Sequence, residues 1–371
     1  MRILIFTDWF TPAFRAGGPV RSIINLVNHL SASHQVYVFT SDRDIHVRTA
    51  FSGILADQWQ KQGNINVYYY SPGKMTLGIV RENIDFVNAD RIYLNSMFSN
   101  MFLPLWVAYK FGKVIIAPRG MLKASALAHK PLKKNLYCFF LRILGIDKFV
   151  TFHAADAVEE VEIRKIFPLV RSLVIAPNIP IQITNVLYPK VKQKGYLRIL
   201  FSARLHPIKN LSFLLSTLND VEGEVELVIA VIQEDPAYFM LCMQLAEKLP
   251  KNVKVSWHFD LRPSEVLQLM QQVHLFVLPT KGESFGHSIY EALSVGCPVL
   301  VSDQTPWRNL LKCKSGMDLP LMENLFLDAV HTFLNLEDSR WQEFRHGALQ
   351  KAKQYVEEMQ VQYCYDKLFS S

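Results

Sequence analysis

PTKGESFGHSIYEALSVGCPVLVSD, residues 279–303, combines a glycine-bearing loop, a pair of glutamates and an apolar run in 25 residues. His274-Leu-Phe-Val-Leu278 leads into it as a short apolar run stopped by Pro279. Pro298-Val-Leu-Val301 forms another near its end, so two buried strands flank one helix. That is a βαβ unit. Helical spacing puts Ile289 and Leu293 on one face and Gly296 just past the helix end. Glu283 stands in the loop leaving the first strand, and Glu291 follows about two turns into the helix. Ligands of open parallel sheets bind beyond the carboxyl ends of the strands, where helix N-termini present N–H groups. Gly286 lets backbone approach a ligand closely, and carboxylates accept hydrogen bonds from sugar or ribose hydroxyls. On spacing alone, two such glutamates are ordinary helix-surface charges; the surrounding glycines, prolines and strands favour a site.

Glu283-Ser-Phe-Gly286, Glu291-Ala-Leu and Gly296-Cys-Pro-Val299 closely resemble the E-x7-E segment of retaining glycosyltransferases of family 4, which have the GT-B fold. The resemblance covers nearly the whole chain, most strongly residues 202–310. It implies an α/β protein of two Rossmann-like, doubly wound parallel-sheet domains facing a cleft. It also implies a first glutamate against the donor sugar and a second on the nucleotide ribose.

The length of 371 residues suggests two domains, and an apolar half of the composition is ample for two cores. The expected division is 1–180 for an N-terminal acceptor domain, 196–345 for a nucleotide-sugar donor domain, and 346–371 for a C-terminal helix returning to the first domain. No apolar run reaches the roughly 18 residues that a spanning helix needs. Asp8 interrupts what would be the apolar part of a signal peptide, so the N-terminus reads as a first strand and the expected location is cytoplasmic. The five scattered cysteines show no CxxC pairing and suggest reduced thiols, with neither a zinc site nor a disulfide framework. Net charge is uneven: residues 1–180 hold 21 Lys and Arg against 12 Asp and Glu, whereas the remainder holds 19 against 21. The first half therefore suits an anionic partner. With no basic arm or nucleic-acid motif, an anionic membrane surface or a phosphate-bearing acceptor fits better than a nucleic acid.

In the first half, the apolar runs at 3–6, 36–39, 67–70, 92–94 and 114–117 read as strands of a parallel sheet, with helical or irregular stretches between them. Gly17-Gly18-Pro19 precedes helical spacing at Val20, Ile23, Ile24 and Val27, so a glycine pair opens a helix. It is either a simple turn or a close backbone approach to a ligand; the resemblance implies a glycine-rich loop near the donor phosphates and acceptor. Arg119, in Pro118-Arg-Gly-Met-Leu122, follows a strand and is a candidate anion or acceptor contact, or else a surface ion-pair residue. That segment is similar to the PRGML signature of a family 4 subgroup. Many family members supply a donor-site histidine from this half; the sequence assigns that role to neither His129 nor His153. Lys130, Lys133, Lys134 and Arg142 interleave with Tyr137, Phe139, Phe140, Leu141, Ile143 and Leu144. This is either a basic amphipathic helix on lipid headgroups or a docked helix with a basic solvent face. Phe152-His-Ala-Ala-Asp156 with Glu159 resembles the family's HATS-x-x-E segment, with Ala155 and Asp156 replacing Thr and Ser.

Residues 181–195 read as the interdomain linker. A strand then restarts at Leu197, followed by a loop carrying Arg204 and Lys209 ahead of a helix near Leu211. Arg as a planar fork and Lys as a point charge form a diphosphate clamp, unless both are simply solvated. The segment looks like the family's G-R-x5-K motif, with Ala203 in place of Gly. Ile232-Gln233, where Gly-Pro is usual, and Trp257 to Asp260 are further departures. Trp307 is either a core residue or an acceptor contact. A helical pattern from Trp341 to Phe369 ends the chain, and the resemblance implies docking on the first domain through Tyr363, Tyr365 and Phe369.

The expected activity is therefore retaining, metal-independent transfer of a sugar from a nucleotide-diphosphate sugar to a glycan or lipid-linked acceptor, in cell-surface polysaccharide biosynthesis. No cofactor is expected. Arg204, Lys209 and Glu283 would form the catalytic set, and Glu291, Ser284, Phe285, Gly286, Gly17 and Gly18 would bind the donor. The alternatives are another GT-B enzyme, such as a sugar-nucleotide epimerase, and a noncatalytic nucleotide- or glycan-binding scaffold. A dehydrogenase lacks support, because no G-x-G-x-x-G follows the first strand.

Overall fold

The computed structural model of the chain describes residues 1–109, 112–123, 126–127, 131–181 and 190–370. It divides into two compact units, Met1–Ile179 with Met359–Ser371, and Pro180–Glu358.

The first unit is built on an eight-stranded sheet: β1 Arg2–Thr7, β2 Gln35–Ser41, β3 Trp59–Gln62, β4 Ile65–Tyr70, β5 Arg91–Asn95, β6 Val114–Ala117, β7 Thr151–Ala154 and β8 Ser172–Ile175. The spatial order is β3-β4-β2-β1-β5-β6-β7-β8. All neighbours are parallel except β3 and β4, so the sheet carries one antiparallel edge strand that its alternating polar sequence concealed. Side chains alternate between two covered faces, which is why β1 reads as an unbroken apolar run. Leu4 and Phe6 enter one core, while Ile3 and Ile5 enter the other beneath helix α1, Gly18–Leu30. Helices α2 Leu77–Val87, α3 Phe102–Ala108, α4 Pro131–Ile143 and α5 Ala157–Ile166 complete this unit together with the last helix, α12 Val361–Ser370. That last helix buries Tyr365, Leu368 and Phe369 in the same core as α1. Tyr363, expected to dock, is 65% exposed.

The second unit holds a wholly parallel six-stranded sheet: β9 Tyr196–Leu205, β10 Glu224–Gln233, β11 Val253–Phe259, β12 Leu275–Leu278, β13 Val299–Ser302 and β14 Gly316–Leu319, ordered β11-β10-β9-β12-β13-β14. Helices α6 Leu211–Leu218, α7 Pro236–Glu247, α8 Pro263–Gln272, α9 His287–Ser294, α10 Glu323–Asn335 and α11 Asp338–Glu358 cover it. The chain runs outward from β9 through β10 to β11, then returns to β12 on the opposite side of β9. The carboxyl ends of β9 and β12 therefore flank a topological switch point, where open α/β sheets bind ligands. In the first unit the corresponding point lies between β1 and β5.

Two expectations change. The helical pattern from Trp341 to Phe369 is two helices, broken where Gln360 takes a positive φ of 44°. The stretch expected as a linker falls partly outside the described residues, at 182–189. Its end belongs to the second unit, where the Lys192 ammonium donates to the Leu334 carbonyl at 3.0 Å and its amide to Asp338 Oδ1 at 2.8 Å. Among the described residues, no helix is long and apolar enough to cross a membrane.

Candidate functional site

The switch point of the second unit gathers the predicted charges. Arg204 does not lie in a loop; β9 pairs with β10 along its full length, so Arg204 sits in the strand opposite Ile232. Its guanidinium donates to Glu234 Oε1 at 2.9 Å, a carboxylate just past the end of β10. Lys209 ends a single 3₁₀ turn, Pro207–Lys209, and its ammonium forms an ion pair with Glu283 Oε1, both side chains being largely buried. Residues 74 positions apart in sequence are thus brought into contact.

Backbone bonds hold the two loops together. Thr280 Oγ1 and the Lys281 amide both donate to the Ile208 carbonyl, at 3.0 and 2.7 Å. Ser302, at the end of β13, donates to the Thr280 carbonyl. The Glu283 amide donates to the Gln304 carbonyl at 3.1 Å. Gly286 precedes α9 with φ 79° and ψ 63°, a left-handed conformation that glycine adopts without penalty. Phe285 is buried with Trp307 and Tyr290 and packs against the partly buried Tyr355, so its ring belongs to the core of this unit. Glu291 is the fifth residue of α9, one turn in rather than two, and it is buried. Past the helix, the Gly296 and Cys297 amides donate to the Leu293 and Ala292 carbonyls, closing the C-terminus as the glycine there suggested.

In the first unit, Gly17 has φ 67° and precedes α1, whose first residue is Gly18. The loop ahead of it is fixed by Asp44 Oδ2, which accepts from the Phe14 and Arg15 amides at 2.8 and 3.0 Å. Arg119 is half-buried, and its fork is spread over three neutral acceptors: Asn95 Oδ1 at 3.0 Å, Asn178 Oδ1 at 2.7 Å and the Tyr93 hydroxyl at 2.7 Å. It ties β5, β6 and the segment after β8 together. The Tyr93 hydroxyl in turn donates a hydrogen bond to His153 Nδ1 at 2.8 Å, and His153 Nε2 faces the Ala176 carbonyl at 2.7 Å. A carbonyl only accepts, so His153 carries its hydrogen on Nε2. Burial, with Arg119 adding to it, pushes His153 down to about 3 and keeps it neutral. It is a structural residue of β7, and His129 and Lys130 lie outside the described residues. Glu159 is likewise structural: its carboxylate accepts from the Gly120 and Ala155 amides at 2.5 and 2.7 Å.

Trp307, left by the sequence as a core residue or an acceptor contact, proves to be buried. Two functional candidates escaped sequence reasoning. Glu234 is the partner of Arg204, signalled only as an acidic residue at a strand's carboxyl end. Asp8, past the end of β1, is 8% exposed, has an Oδ1 without a hydrogen-bond partner among the described residues, and is raised by burial to about 6. No group of three or more His, Cys, Asp or Glu among the described residues is placed to hold a metal ion.

Residues 188–314 match the family model of glycosyl transferases group 1. That match contains Arg204, Lys209, Glu283 and Glu291, the whole constellation of the second switch point. No curated protein matches the chain. Solved structures do. Sucrose-phosphate synthase from Thermosynechococcus elongatus is 16% identical with a TM-score of 0.70, over 100% of this chain and 99% of that one. HepE of Anabaena, in complex with UDP and glucose, is 16% identical with a TM-score of 0.74, over the full length of both chains. WaaG, a glycosyltransferase involved in lipopolysaccharide biosynthesis, is 13% identical with a TM-score of 0.66, over 95% of each chain. These likenesses establish the fold as GT-B.

Proposed function

We propose that the protein is a retaining glycosyltransferase that moves a sugar from a nucleoside-diphosphate sugar to a glycan or lipid-linked acceptor. The observation that carries this reading is the meeting of Lys209 and Glu283 at the switch point, with Arg204 paired to Glu234 at the end of β9 and α9 beginning four residues after Glu283. An ammonium has three donors and a guanidinium five. The bonds to Glu283 and Glu234 leave donors on both cations for the phosphates, and charge developing on the departing diphosphate is what such a pair stabilises. Lys209 and Arg204 do the work a divalent cation does elsewhere, so the transfer is metal-independent on this reading. Glu283 and the amides of Ser284, Phe285 and Gly286 orient the sugar, and the buried Glu291 holds the ribose. Gly17, Gly18 and Arg119 shape the first unit's own switch point, where an acceptor is expected.

Helix α4 suits an acceptor drawn from an anionic membrane surface in cell-surface polysaccharide synthesis. It buries Cys138 and Leu141 but leaves Leu132, Leu136, Phe139, Phe140 and Ile143 exposed among Lys133, Lys134 and Arg142. Exposed aromatics within a basic helix match the chemistry of a lipid headgroup layer.

The test is turnover. The full chain, with EDTA present, is incubated with a panel of nucleotide sugars and a bacterial lipid and polysaccharide extract, and both nucleoside diphosphate release and the anomeric configuration of the product are followed by NMR. Acceptor-dependent release with retention supports the reading; inversion, or conversion of the donor without any acceptor, overturns it.

A further inference from the structure

Trp307 lies in the loop after β13 and is 3% exposed. Its ring centroid lies 5.1 Å from that of Tyr355, 5.7 Å from Phe285 and 6.1 Å from Tyr290. Packing alone accounts for a buried tryptophan; its hydrogen bond adds a direction. The indole N–H donates to the Phe285 carbonyl at 2.6 Å. The Phe285–Gly286 peptide is trans, since the one cis bond in the described chain is Thr11–Pro12. A planar trans peptide points its C=O and N–H in opposite directions. With the carbonyl drawn onto Trp307, the Gly286 N–H is turned away from the aromatic cluster. Among the described residues, the amides of Ser284, Phe285 and Gly286 donate to no protein acceptor. Three residues earlier in the same loop, the Gln304 carbonyl accepts from the Glu283 amide. Segment 304–307 therefore grips the 283–286 turn at both ends.

We propose that Trp307 is a positioning residue for the donor: it fixes the Phe285–Gly286 peptide so that the Gly286 N–H faces the donor's sugar. This rests on the donor-site reading above. Trp307 touches no substrate itself; it acts by keeping an amide aimed, which removes the cost of reorienting that dipole when the donor arrives.

The experiment compares the wild-type chain with Trp307→Phe, which keeps an aromatic ring and loses the donor, and with Tyr355→Leu, which strips packing from the indole and leaves its N–H bond. UDP and UDP-glucose, followed by the other nucleotide and nucleotide-sugar pairs, are titrated calorimetrically. Trp307→Phe is expected to bind the nucleotide as the wild type does and to lose the extra affinity due to the sugar, by about tenfold. Tyr355→Leu is expected to retain that extra affinity. Equal binding by wild type and Trp307→Phe overturns the proposal, as does the same loss in Trp307→Phe and Tyr355→Leu, which would make packing the cause. A wild type that binds no donor of the panel overturns the donor-site reading, and this proposal with it. Amide exchange on the unmutated chain covers a Trp307→Phe variant that fails to fold. Gly286 becomes protected when donor is bound, and its failure to do so overturns the proposal.

Discussion

Replacing Gly286 with alanine separates the backbone demand of the site from its side-chain chemistry. At φ 79° an added Cβ would sit 2.8 Å from Ile289 Cδ1 and 3.4 Å from the Trp307 indole nitrogen. A left-handed non-glycine residue costs about 1–2 kcal/mol, and forcing a methyl group against a packed side chain costs roughly 1–3 kcal/mol more. Ile289 is completely buried on α9 and has little room to yield. Gly282, four residues earlier in the same loop, has no positive φ and faces open space, with no atom within 4 Å of where a Cβ would stand. Gly282→Ala should therefore stay within about 0.5 kcal/mol of wild type. For a unit of this size, 1 kcal/mol moves the melting point by about 2–4 °C. Gly286→Ala, costing about 2–5 kcal/mol in all, should melt about 4–20 °C below wild type, and Gly282→Ala within about 2 °C of wild type. Circular dichroism melts of the three chains are the assay. Equal melting points for the two variants would refute the claim that position 286 is held in a conformation only glycine tolerates.

Arg119→Lys should lower stability by about 2 kcal/mol, because one ammonium cannot serve Asn95, Asn178 and Tyr93 in the fork geometry; an unchanged urea midpoint would show that the fork is not structural. His153 and His274 are both held near 3, below their ordinary 6.5, chiefly by burial. The unfolded chain then binds protons that the folded chain does not. Stability is complete above pH 6.5 and falls toward pH 3, by about 1.4 kcal/mol per pH unit per histidine; urea midpoints from pH 7 to 4.5 measure it. Asp8 acts with the opposite sign: raised by burial from 3.8 to about 6, it weakens the fold above that range. Asp8→Asn should stabilise by roughly 1–3 kcal/mol at pH 7, with the gain vanishing near pH 4 on the same urea series. Phe139→Asp combined with Phe140→Asp should weaken cosedimentation with phosphatidylglycerol vesicles severalfold without moving the melting point, since both rings are exposed.

Strands that are covered on both faces were legible because burial makes their sequence continuously apolar: β6 is Val-Ile-Ile-Ala and β12 is Leu-Phe-Val-Leu. The missed strands carry polar groups that tertiary partners satisfy. β7 contains Thr151, bonded to Ser172, and His153, bonded to Tyr93 and facing the Ala176 carbonyl. β14 begins with Gly316 and contains Asp318, whose carboxylate accepts from the Leu310 amide at 2.8 Å. At the site, the resemblance pointed to Glu283, Lys209 and Arg204, but no local pattern could pair Lys209 with Glu283 or Arg204 with Glu234. Those contacts come from the strand order, which places β9 between β10 and β12. Arg119 shows the converse. Its place after a strand suggested a ligand contact, and its three neutral acceptors, drawn from three distant segments, exist only once the sheet has formed.

The most direct measurement is calorimetric titration of the nucleotide-sugar panel, in EDTA, into the wild-type chain and into Glu291→Gln. The donor site described here predicts that one donor binds the wild type without metal and binds Glu291→Gln at least about tenfold more weakly. Failure of every donor to bind, or equal binding by the variant, would contradict it.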